Sequence, residues 1–98
     1  MKARKFPIAG RIWRWIYRPL RNDYGVCNYT ERTITIDSGR AHAGMDLLDT
    51  EIHEALHALQ AFATEEHTAE VASTLAAILW GLGYRLTEEH AGRGYLGE

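Results

Sequence analysis

Thr50-Glu51-Ile52-His53-Glu54-Ala55-Leu56-His57-Ala58-Leu59 is the stretch that decides how this 98-residue chain folds. Its two histidines stand four residues apart with a glutamate directly after the first, and residues four apart share one face of an α-helix. Leu47, Leu48, Ile52, Ala55, Leu56, Leu59 and Phe62 recur at intervals of three and four, the period of a helix with a buried stripe beside its histidine face. The helix is expected to start near Met45 or Asp46 and to end between Leu59 and Phe62. Two imidazoles so placed can reach one Zn2+ at about 2.0 to 2.1 Å, and Glu54 projects beside them where a general base is needed. The plain alternative is a pair of solvated helix histidines.

The pentapeptide is short, so its flanks matter. The fuller form of the motif asks for Thr or Val three positions before the first His, uncharged neighbours, and a hydrophobic residue two positions after the second His. Thr50, Ala55, Leu56, Ala58 and Leu59 comply. Glu51 departs, a charge that can be tolerated if it points to solvent.

A catalytic zinc site takes three protein ligands and keeps one position open, so a third donor must come from elsewhere. Thr64 reads as the N-cap of a second helix, with Glu65 and Glu66 favourable in its first turn. That helix carries Thr68, Val71, Ala72, Leu75, Ile78, Leu79 and Leu82 on one face and ends around Gly81 or Gly83. Glu65 precedes Thr68, Ala72, Leu75 and Leu79 by three, seven, ten and fourteen residues, which places it beside the packed face and makes it the preferred third ligand. Glu66 lies about 100° further round the helix. Glu70 and His67 are the alternatives, each with a poorer angular phase. With zinc held this way, Glu54 would accept a proton from the attacking water and pass it to the leaving amine, the chemistry of peptide-bond hydrolysis. Tyr84, His90, His42 and Tyr95 are candidates for stabilising the oxyanion.

Composition agrees with a folded protein: 46% of residues are hydrophobic, ten are aromatic and 24% are charged, with a net charge of −2. Ninety-eight residues make one domain with a small core, which bound metal would help to stabilise. Loosely held ends are expected at about 1–9, where Pro7 delays regular structure, and about 91–98, which is rich in glycine. No apolar run approaches the roughly 20 residues that span a bilayer, and no signal-peptide core follows the basic start. With one cysteine, Cys27, and so no internal disulfide, a cytoplasmic setting without membrane contact is expected. Cys27 reads as a packed small residue. Lys2, Arg4, Lys5, Arg11, Arg14, Arg18 and Arg21 all precede the first acid, Asp23. This basic stretch is read as a solvated face in preference to a nucleic-acid contact, so the expected partner is a peptide or protein substrate.

Arg11 to Arg18 alternates Trp13, Trp15 and Tyr17 against Ile12, Arg14, Ile16 and Arg18, which favours a strand ahead of Pro19. Asn22-Asp23-Tyr24-Gly25 reads as a turn. Thr33-Ile34-Thr35-Ile36-Asp37 is the clearest strand, stopped by Ser38-Gly39, and it should pair with the first. As an edge strand it would offer backbone hydrogen bonds to an extended peptide.

Across residues 10–85 the chain resembles the small phage-type zincin-like metallopeptidases, the minigluzincin-like single-domain forms. The resemblance rests on Gly25-Val26-Cys27, the Thr33 to Asp37 strand, Leu48 to Ala58 with its HExxH, the acidic Glu65-Glu66 helix start, and Leu79-Trp80-Gly81-Leu82-Gly83-Tyr84-Arg85. It implies an α+β fold in which a short antiparallel sheet packs on the HExxH helix and a second C-terminal helix. It also implies zinc on His53 and His57, Glu54 as base, and a glutamate from the following helix as third ligand. The contrasting expectation is a noncatalytic, zinc-stabilised module that binds nucleic acid or a partner protein through the basic N-terminal segment.

Overall fold

The computed structural model describes residues 3–39 and 41–86. Its elements run β1 (Arg4–Ile8), β2 (Arg11–Arg18), β3 (Gly25–Asn28), β4 (Thr33–Asp37), α1 (Gly44–Leu59) and α2 (Glu65–Gly81), an α+β arrangement. The HExxH helix and its successor fall within one or two residues of the expected bounds. Thr64 does cap α2: its hydroxyl accepts from the His67 N–H at 3.1 Å.

The sheet corrects the antiparallel expectation. Its order is β1-β2-β4-β3, with β2 and β4 parallel and the other two pairs antiparallel. The cause lies in which strand can bear the centre. β4 alternates β-branched residues, and Ile34 and Ile36 are fully buried on its inner face. β3 is short and carries Gly25 and Asn28, which suit an edge. Placing β4 between β2 and β3 makes β2 and β4 run the same way. β4 therefore pairs with the first long strand as expected but has no free edge, and among the described residues the edge strands are β1 and β3.

β1 replaces the irregular start expected for 1–9. It joins β2 through Ala9-Gly10, a two-residue turn with φ of 50° and 81°, both positive as a type I′ hairpin requires. Alanine at the first of these positions hid the turn from a reading that looks for Asn or Asp there. Pro7 is tolerated because an edge strand uses only alternate N–H groups. The expected loose segment 91–98 lies outside the described residues.

Trp13, Ile34, Ile36, Leu47 and Ala58 form the core, with Ile8, Trp15, Tyr17 and Cys27 packed around it. α1 lies on the inner face of the sheet, and α2 packs on α1. The helices run antiparallel at a constant register: Asp49 accepts from the Ser73 hydroxyl at 3.1 Å, and His57 meets Glu65 at the loop end. The seam uses small residues, with Thr68, Ala72 and Ala76 buried on one stripe of α2. Leu75, Ile78 and Leu82, expected on that face, are exposed, because the helices meet along the small side chains. Leu59 and Phe62 are exposed as well, since α1 stops at Leu59 and Phe62 falls in the following loop. Glu51 does not point free into solvent; it accepts a hydrogen bond from the Tyr17 hydroxyl. Among the described residues no helix is long and apolar enough to cross a membrane.

Candidate metal centre

α1 presents His53 and His57 on one face because four residues make little more than a turn, and their rings stand 4.7 Å apart at 67°. The antiparallel return through residues 60–64 then sets the first residue of α2 opposite them. Glu65 lies with one carboxylate oxygen 3.0 Å from His53 Nε2 and the other 2.9 Å from His57 Nε2. Ligand atoms of all three fall within 4.8 Å of one another. Both histidines are half-buried, whereas Glu65 is mostly exposed. Glu66, His67 and Glu70 are exposed and stand outside this group, so of the residues weighed it is Glu65 that lies beside the two histidines.

The donor set fits a divalent ion. Two imidazole nitrogens and one carboxylate form a His2Glu set, and ligands about 2.0 to 2.1 Å from a tetrahedral zinc stand roughly 3.3 Å apart. The observed separations lie a few tenths of an ångström below that, a difference within reach of side-chain rotation.

Glu54 is buried, at 8% exposure, on the flank of α1 that faces β3. Burial pushes its carboxyl above the ordinary range; His57 pulls it down, and Glu65 and Asp23 push it up. Gly25 makes this flank possible. A Cβ there would meet Glu54 Cγ at 2.7 Å and Thr50 Cγ2 at 2.9 Å. A glycine in a strand is a sequence sign of close backbone approach, and it was the available clue to this residue's part in the site.

Cys27 and Tyr29 complete the wall around the cluster, together with Gly25. The Tyr29 hydroxyl donates to the His57 carbonyl at 2.9 Å, and its ring meets Trp13 edge-on at 6.0 Å. Nothing in the sequence marked Tyr29. Cys27 packs against the core, and its thiol is pushed up to about 11, mainly by burial and then by the Glu54 charge.

A second cavity of about 490 Å³ shares Gly25, His53 and Glu54 with the cluster and continues past Tyr24, His42, Asp46 and Asp49. His42 is buried in its wall with both ring nitrogens engaged. Nδ1 lies 2.9 Å from the Asp37 carbonyl, which can only accept, so Nδ1 carries a proton, and Nε2 hydrogen-bonds with the Thr50 hydroxyl at 2.9 Å. Thr50 thus pins the segment before α1 to the helix. Of the other oxyanion candidates, Tyr84 lines neither cavity and is exposed, while His90 and Tyr95 lie outside the described residues.

No protein-family model matches this chain, and neither does any curated protein or solved structure.

Proposed function

We propose that the protein is a zincin-like metallopeptidase whose zinc is held by His53, His57 and Glu65, with Glu54 as general base and a peptide or protein as substrate. The observation that carries this reading is the convergence of Glu65, from a different helix, on both HExxH histidines. Together the three side chains make up the His2Glu donor set of a catalytic zinc site, which the HExxH pair alone would leave incomplete.

When bound, zinc would acidify a water and polarise the substrate carbonyl. The protein's own groups supply the rest. Glu54 takes the proton from the attacking water and delivers it to the departing amine. Its burial raises its basicity toward the working pH, which is what efficient proton transfer requires. Among the described residues β3 pairs only with β4, which leaves its second edge beside the cluster without a described partner strand, and Gly25 and Cys27 line the wall there. That edge can hold an extended peptide by backbone hydrogen bonds, the task sequence reading gave to β4. His42 and Thr50 hold the N-terminal end of α1 in place.

The test is the Glu54→Gln variant on a casein or peptide-library substrate. Loss of cleavage by at least a hundredfold with zinc still bound supports the assignment. Cleavage at the wild-type rate removes Glu54 from the mechanism.

A further inference from the structure

Independently of the metal reading, we infer that the face of the sheet turned away from α1 binds the phosphate backbone of duplex nucleic acid. Strand registers assign the two faces. Trp13, Trp15, Tyr17, Ile34 and Ile36 turn toward α1, so the residues between them turn away. Lys5 lies directly across from Arg14 on that outer face, and Arg18 follows on the same strand. All three are exposed, and both helices lie on the other side.

Two observations make this more than a solvated surface. First, Lys5 and Arg14 are a like-charge pair at directly opposed positions, an arrangement that works against the sheet unless something neutralises it. Second, no described residue neutralises it. Asp37 is the only acid among the strand residues of that face, and its Oδ1 accepts from the N–H groups of Leu20 and Gly39 at 2.9 and 3.1 Å. Among the described residues no ion pair engages Lys5, Arg14 or Arg18, although Asp37 is the register partner of Arg18. The chain as a whole is net negative, so these cations are segregated and not simply abundant.

Geometry selects the occupant. Arg14 and Arg18 are about 13 Å apart along the strand, and Lys5 is about 5 Å from Arg14 across it. A duplex offers a charge every ~1.7 Å along its axis and can meet all three at once. The strand residues of this face include no aromatic side chain, so there is no platform on which unpaired bases would stack. Contact is therefore to phosphates and carries no sequence preference. Docking this way leaves the His53, His57 and Glu65 cluster open, because it lies on the helix side.

The experiment is fluorescence anisotropy of a labelled duplex of about 20 base pairs, titrated with the full chain from about 50 to 300 mM KCl. Three phosphate contacts predict a log–log salt slope of roughly −3 and an affinity that falls at least tenfold in the combined Lys5→Glu, Arg14→Glu, Arg18→Glu variant. Gln at the same three positions should give a smaller loss in the same direction, and this neutral set decides the matter if the reversed one does not fold. Several results overturn the inference: no duplex binding at low salt, duplex binding unchanged in the neutral set, tighter binding to a single strand of the same length, or cation-dependent binding to phosphatidylserine vesicles without duplex binding.

Discussion

Gly25 stands so close to Glu54 that a single added methyl group would lie 2.7 Å from Glu54 Cγ and 3.0 Å from its Oε2. The buried carboxylate is therefore positioned by the backbone of β3 as well as by α1. Gly25→Ala is expected to displace Glu54 while sparing the metal ligands. Overpacking of this kind costs about 1 to 3 kcal/mol. The expected outcome is a lower melting temperature, cleavage reduced at least tenfold and zinc content unchanged. A variant with wild-type activity would show that Glu54 is not held by this contact.

Glu65 is the only member of the cluster on α2, so Glu65→Ala separates the third donor from the HExxH pair. Zinc affinity should fall by two orders of magnitude or more, while Glu66→Ala and Glu70→Ala leave it within a few-fold, because neither carboxylate reaches the group. Competition against a chromogenic chelator reads all three. Equal losses in the three variants would mean that general acidity, and not ligation, sets the affinity.

Cys27 is expected to be unreactive. With its thiol pushed up to about 11, about a thousandth of it is thiolate at pH 8, against roughly a quarter of an ordinary thiol. Alkylation by iodoacetamide should be about a hundredfold slower in the folded protein than in urea. The raised value also gives a sign to stability. Above the unfolded thiol's pKa the unfolded chain releases a proton that the folded chain keeps, so this contribution is complete below that point and is lost as pH rises through about 11. Similar alkylation rates in the folded and unfolded states would contradict the burial.

Ala72 is fully buried where α2 meets α1. Ala72→Leu should destabilise the protein by about 1 to 3 kcal/mol and weaken zinc binding, because Glu65 rides on the same helix. Ala77→Leu, at an exposed position of α2, should change neither. Chemical denaturation of both variants with and without zinc separates the two effects.

What the sequence disclosed and what it concealed divide along the range of the interactions. The HExxH helix, the Thr64 cap and the approach of Glu65 follow from the 3.6-residue period and a short loop, all within about twenty residues of chain. Sheet order follows only in part: β4 pairs with β2 as expected, but the parallel sense of that pair and the central place of β4 are set by which strand can be buried. A strand's alternation says nothing of its neighbours. β1 was hidden by Pro7 and by an unusual Ala9-Gly10 turn, and β3 by a glycine that signals a turn as readily as a close approach. Tyr29 reaches the His57 carbonyl only because β3 takes the edge position, so no local pattern could have announced it.

The most direct test of the central claim is metal content, measured by elemental analysis on protein purified without added metal or chelator, beside His57→Ala. The account predicts one zinc per chain in the wild type, lost in the variant and regained by neither dialysis nor modest zinc excess. A wild-type protein that carries no zinc and takes up none on titration would reduce the contact of Glu65 with His53 and His57 to an ion pair between two helices, and the proposed peptidase would fall with it.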